Sequence, residues 1–241
     1  MQDYILNREN FDILNLYSEG TEFDDFSLIN LCKIAADNGV KSISVPDANV
    51  NSVWEWLELS DVKLCATVNN FLGKMSVEDV FRKIKSVVNS GADIVEVLMP
   101  PETFNVDIEN ISPKLDEMLC AITEAKGIKK IKISMESAFI RSCTVLKGVI
   151  YLLSKYKIDT IKTASGKFAR NSSLEELNAI LEEAKSSRIG VDFMADFNNS
   201  NRFVIDDAYR LASYIIGTED IKNLDFSISI PERVFSKIVK K

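Results

Sequence analysis

Residues 62–98 read VKLCATVNNFLGKMSVEDVFRKIKSVVNSGADIVEVL. Both ends are short runs rich in β-branched and apolar residues. Between them Val77, Val80, Phe81, Ile84, Val87 and Val88 recur at helical spacing. Ser76 with Asp79 resembles a capping box at the start of that helix, and Gly91 supplies the stop. A strand, a helix with one apolar stripe and a second strand make a βα unit, and such units build parallel sheets.

The same alternation continues in both directions. Strands are predicted over residues 11–17, 41–45, 62–68, 93–98, 130–135, 159–162, 189–195 and 224–228. Ser173 with Glu176 repeats the capping device ahead of Leu174, Leu177, Ile180, Leu181 and Ala184. Gly39 closes a helical segment carrying Phe26, Ile29, Cys32 and Ala36, and similar stripes run through 139–153 and 205–216. Eight units with no Pro/Gly/Ser-rich linker predict an α/β chain folded as a single (β/α)8 TIM barrel, one domain over residues 1–241, because half-barrels would expose open edges. An open doubly wound sheet is the alternative, but no G-x-G-x-x-G follows the first strand.

Composition narrows the chemistry. The 241 residues are 46% hydrophobic and 27% charged, which excludes disorder, collagen and coiled coil. With 29 Lys+Arg against 36 Asp+Glu the net charge is -7, the wrong sign for a general nucleic-acid or anionic-membrane binder. No apolar run approaches the roughly 20 residues of a membrane span. There is no histidine, so catalytic triads and histidine metal sites are absent, and proton transfer falls to Lys, Asp, Glu, Tyr or Cys. Cys32, Cys65, Cys120 and Cys143 form no C-x-x-C pair and read as reduced core thiols of a cytoplasmic protein. Trp54 and Trp56 read as core or interface packing, and the Lys237 to Lys241 terminus as a solvated helix end.

Barrel enzymes place their chemistry at the C-terminal ends of the strands, and strand side chains alternate in direction. In residues 130–136, Ile131, Ile133 and Met135 face the helices, which turns Lys132, Ser134 and Glu136 inward. Glu96 interrupts an apolar strand, Lys162 ends another, and Asn15 interrupts the first. A lysine at the end of a buried strand is costly unless paired or deprotonated. Lys162 is therefore either a Schiff-base nucleophile or a structural ion pair with Glu96 or Glu136.

The run Ile161-Lys-Thr-Ala-Ser-Gly-Lys167 resembles the K-T-x-x-G-K signature of deoxyribose-phosphate aldolases, class I enzymes on a (β/α)8 fold. Residues 64–73, 91–97 and 132–137 resemble the family's third, fourth and fifth strand motifs in the expected order, and the likeness spans roughly residues 10 to 235. It implies reversible cleavage of 2-deoxy-D-ribose 5-phosphate to D-glyceraldehyde 3-phosphate and acetaldehyde, with no metal or other cofactor. Lys162 would form the imine, Glu96 with water would move protons, and Lys132 would support that relay. Substrate contacts would fall to Asn15, Thr163, Gly166, Lys167, Ser227 and Ser229. The implied partner is a small phosphorylated sugar, and a homodimer through helix faces is a common arrangement for barrels.

The departures from the family pattern cluster at the chemistry. Met194 stands where the seventh strand normally supplies a second lysine, and Phe197 and Asn198 replace the glycines of a phosphate loop. Ile43 takes the place of a second-strand cysteine, and Asn15 that of a first-strand aspartate. A lysine of ordinary pKa about 10.4 is neutral in only about one molecule per thousand near pH 7.4. A second cation about 5 Å away supplies roughly 2 pKa units of depression at an effective dielectric of about 20. Asp192 and Asp196 push the other way. The expectations are therefore a slowed aldolase, a barrel that has kept the fold and taken a binding or regulatory role, or a Schiff-base enzyme for a different aldehyde.

Overall fold

The computed structural model describes residues 11–14, 25–69, 75–104, 111–127, 129–165, 173–194, 210–211, 214, 224–231 and 235. Its strands are β1 (Phe11–Leu14), β2 (Ser42–Pro46), β3 (Lys63–Asn69), β4 (Ile94–Leu98), β5 (Lys130–Ser134), β6 (Thr160–Lys162), β7 (Gly190–Met194) and β8 (Ser227–Pro231). Each pairs in parallel with the next, and β8 pairs with β1 through Phe11↔Ile228 to Leu14↔Pro231. The ring is closed, which rules out the doubly wound sheet. The described helices are α1 (Asp25–Asp37), α2 (Val50–Leu57), α3 (Val77–Asn89), α4 (Pro113–Ala125), α5 (Cys143–Lys155) and α6 (Leu174–Ser187).

Helix ends follow the local chemistry. Ser76 accepts the Asp79 N–H, Ser112 that of Leu115 and Ser142 that of Val145. The Ser173/Glu176 capping box is complete in both directions. Gly91, at φ +102°, ends α3 where a Cβ would stand 2.3 Å from the Trp54 indole, so both backbone and space demand glycine there.

The strands sort their side chains into two layers. Outward residues such as Val45, Leu64, Val68, Val95, Val97, Ile131, Ile133, Ile161, Phe193 and Ile230 pack against Leu31, Val53, Ile84, Leu119, Val149, Leu153 and Leu181 of the helices in one continuous core. The inward layer is mostly polar: Asp12, Ser42, Ser44, Glu96, Lys132, Ser134, Thr160, Lys162, Asp192, Ser227 and Ser229 are all buried. The outer layer supplies the hydrophobic driving force, leaving the inner one available for charge.

Several expectations need correction. The last strand lies three residues later than expected, because Leu224 and Asp225 form a turn, Asp225 at φ 56°. The stripe from 139 overreaches: the helix starts at Cys143 behind Ser142, while Phe139 sits in a 3-10 turn and is exposed. All four thiols are free, but only Cys32 and Cys65 are buried, and Cys120 is exposed. Trp54 is 44% exposed. Of the 205–216 stripe, Arg210, Leu211 and Tyr214 are helical. Residues 15–17 and 195 and the Lys237 to Lys241 terminus lie outside the described residues.

Candidate active site

Lys162 is the last residue of β6, and the alternation that sends Ile161 into the outer core sends Lys162 into the barrel, where it is 1% exposed. Its ammonium donates to both carboxylate oxygens of Glu96, 3.0 Å from each. Glu96 reaches it from the middle of β4, two strands away, at a register level shared with Lys132 and one step below the Ser134–Lys162–Asp192 row. Burial works against the charge on Lys162, and Glu96, helped by Asp192, more than offsets it. The pKa ends above the ordinary lysine value, although Lys132 pushes it down.

A second ionic centre lies beside the first. The Lys132 ammonium is ion-paired with both Asp12 of β1 and Asp192 of β7. Burial opposes its charge too, but the two carboxylates hold its pKa well above the lysine range. Asp192 also accepts the Ser229 hydroxyl at 2.7 Å, and against the cost of its own burial Lys132 and Lys162 hold it down to about 2. The Ser44 hydroxyl donates to Asp12 at 3.2 Å. Three acidic side chains thus face two lysines inside the barrel, each lysine in direct contact with a carboxylate.

Glu136, one step beyond β5, differs from these. It has a left-handed backbone, φ 49°, and a buried carboxyl group whose Oε1 accepts the Ser165 N–H at 2.8 Å. Burial raises its pKa, against the Ser165 hydrogen bonds and the weaker pull of Lys162. Among the described residues its Oε2 has no hydrogen-bond partner, nor has the hydroxyl of Ser134 or Ser42. Buried polar atoms in that state are costly unless a ligand or water meets them.

The residues chosen from sequence fall into three groups. Lys162, Glu96 and Lys132 share the barrel interior, as parity requires. Thr163 and Ser229 are buried as well, but their hydroxyls are engaged. Thr163 Oγ1 accepts the Met194 N–H at 3.0 Å and ties β6 to β7. Ser227 starts β8 and Ser229 lies mid-strand, a consequence of the later register. Asn15, Gly166 and Lys167 lie outside the described residues, as do Asp196, Phe197 and Asn198.

Sequence reasoning passed over Asp12. The signal was present: an acidic residue between Phe11 and Ile13 in a short apolar strand carries the parity argument that found Lys132. Met194, at the end of β7, is buried and packs with Ala164, two residues beyond Lys162, so the β7 end presents an apolar side chain there. Ile43 lies in the outer core. Among the described residues no group of three or more His, Cys, Asp or Glu is arranged to hold a metal ion, and no helix is long and apolar enough to cross a membrane.

Chemically, the arrangement holds one buried primary amine against one carboxylate able to take its proton, beside a second lysine held charged. That is the equipment for carbonyl capture and proton relay.

No protein-family model matches the chain. Curated relatives do. The chain is 26% identical to a deoxyribose-phosphate aldolase of Mycoplasmoides gallisepticum over 165 residues, 66% of this chain and 69% of that one. To the Mycoplasma mobile deoxyribose-phosphate aldolase it is 26% identical over 186 residues, 77% and 82% of the two chains. Among solved structures, the deoxyribose phosphate aldolase of Aeropyrum pernix, itself tetrameric, superposes with a TM-score of 0.74 at 18% identity over 97% of this chain and 89% of that one, a likeness of fold. With a closed eightfold barrel, a lysine at the end of β6 and this set of relatives, the chain is similar in sequence and fold to the deoxyribose-phosphate aldolases.

Proposed function

We propose that the protein is a class I aldolase that cleaves 2-deoxy-D-ribose 5-phosphate, or a closely similar small phosphorylated sugar, through an imine on Lys162, and that it is slow at neutral pH. The proposal takes residues 1–241 as one catalytic domain. The observation that carries it is the buried Lys162 amine at the C-terminal end of β6, with both oxygens of Glu96 at 3.0 Å. The family resemblance supports lyase chemistry.

The steps follow from that pair. Lys162 rests as a cation, so it must first pass a proton to Glu96. The neutral amine then adds to the substrate carbonyl, and the carbinolamine loses water, with Glu96 returning the proton to the departing oxygen. The protonated imine withdraws electrons as the C2–C3 bond breaks, the C3 hydroxyl giving its proton to the Glu96 carboxylate and becoming the aldehyde of the released glyceraldehyde 3-phosphate. The enamine left behind is protonated at carbon and hydrolysed to acetaldehyde. Lys132, fixed between Asp12 and Asp192, holds a positive charge near the reacting nitrogen and moderates the carboxylates around it.

Slowness follows from charge. Two acidic neighbours hold the Lys162 pKa above its ordinary value, where fewer than about one amine in a thousand is neutral near pH 7.4. Met194 at the end of β7 adds bulk without the positive charge that would favour the neutral amine. Sodium borohydride trapping with deoxyribose 5-phosphate tests the reading. A reduced adduct mapped by peptide mass to Lys162 is expected.

The clamp of Glu96 on Lys162 also favours a second reading, a barrel that retains the fold for a binding role. Absence of any adduct at saturating sugar across about pH 7 to 10 overturns the aldolase proposal in its favour.

A further inference from the structure

At the opposite end of the barrel, below the N-terminal ends of β5 to β8, lies a cavity of about 800 Å³. It falls within the roughly 300–1,000 Å³ range of small-molecule sites. Among the described residues, five cationic side chains line it, Lys126, Lys130, Lys157, Lys185 and Arg188, against two acids, Asp159 and Asp225.

Those acids are already matched. Asp159 pairs with Lys126 at 2.6 Å, and Asp225 pairs with Lys130 at 2.9 Å and Lys41 at 2.8 Å. Burial raises the Asp225 carboxyl, but Lys41 and Lys130 overcome it and hold the pKa at about 2. Lys126 also donates to the Lys157 carbonyl at 3.1 Å, just past the C-terminal end of α5. Lys157 and Arg188 are exposed and make no ion pair among the described residues. The lining charge among the described residues is therefore five minus two, or +3, on a protein whose total is -7.

Helix capping does not absorb that excess. The C-terminal ends of α4, α5 and α6 are followed within two residues by Lys126, Lys157 and Arg188, and each helix end carries about half a negative charge, roughly -1.5 together. About half of the surplus survives. The wall at Gly190 is closely packed, since a Cβ there would stand 2.9 Å from Thr160 Oγ1 and 3.2 Å from the Asp225 Cβ. Because the helix ends repel anions, the side chains must carry any binding.

We propose that this basal cavity is an anion site for a small molecule bearing a polyphosphate group, separate from the Lys162 centre and independent of the aldolase reading. Lys157 and Arg188 are the free cations that would grip it, with Arg188 offering a planar fork for two phosphate oxygens.

Calorimetric titration of the full chain with inorganic pyrophosphate at low ionic strength tests this. Saturable binding is expected, weaker for orthophosphate, and weakened at least roughly tenfold in the Lys157→Ser/Arg188→Ser variant. Both positions are exposed, and unchanged circular dichroism confirms the fold. Lys33→Ser, an exposed charge on α1, is the control and is expected to bind as the parent does. No saturable heat up to about 10 mM pyrophosphate overturns the proposal. So does binding that survives the double variant, or that Lys33→Ser weakens equally. Orthophosphate binding as tight as pyrophosphate overturns the polyphosphate assignment.

Discussion

The two ends of the barrel handle charge in opposite ways. Inside and toward the C-terminal mouth, Lys132 and Lys162 are almost wholly buried and each is held by carboxylates. At the N-terminal end the cations are on the surface and outnumber the acids. Burial is the difference. An unpaired ammonium within the barrel would cost several kcal/mol, so inner charges exist only as sets, whereas water tolerates a surplus outside. A change at the inner set should therefore be large in both stability and activity, and a change at the basal cavity small in stability.

The largest effect is expected from Lys162→Met, which removes the nucleophile. Borohydride trapping should vanish entirely, and a variant that still traps substrate would move the chemistry to another amine. Next comes Lys132→Met, which leaves Asp12 and Asp192 facing each other without their cation. A loss of about 3–5 kcal/mol in urea unfolding is expected, the range for breaking a buried pair from one side. A loss below about 1 kcal/mol would mean that the interior is wetter than its burial indicates.

The pH dependence sharpens the contrast further. Lys162 must be neutral to attack and its pKa is raised, so the trapping rate should climb about tenfold per pH unit from neutral toward pH 10. A plateau near pH 7 would show a depressed pKa and refute the clamp. For stability the signs differ by group. Asp192, lowered to about 2, contributes fully above the ordinary value near 3.8 and loses that contribution as pH falls toward 2. Lys132, raised, contributes fully below about 10.5 and loses that as pH climbs through its folded value. Chemical denaturation across that range should show both shoulders, and Lys132→Met should remove both. The smallest effect belongs to Lys130→Ala at the basal end. Its lysine is largely exposed and Asp225 keeps Lys41, so unfolding should shift by less than about 1 kcal/mol.

The sequence carried much of this because hydrophobic periodicity is a local property. Alternating apolar runs and capped helical stripes mark all eight strands, and parity within residues 130–136 is enough to turn Lys132 inward. Lys162 stood out by the same logic, since a cation in a short buried strand demands a partner. Where local signals thin out, so did the reading. A turn at Asp225 moved the last strand by three residues, and Asp12 was overlooked in favour of Asn15, three positions further along the chain.

What sequence alone determined, then, is the barrel class and the identity of its unusual inner residues, because side-chain alternation and helical spacing need no knowledge of distant neighbours. Which acid holds which lysine was decided only by closure of the ring. Asp12 meets Lys132 across 120 residues of chain and Glu96 meets Lys162 across 66, and those distances depend on strand register and barrel curvature. The basal cavity likewise exists only once three helix ends and four strand starts converge, bringing together lysines that the chain itself keeps apart.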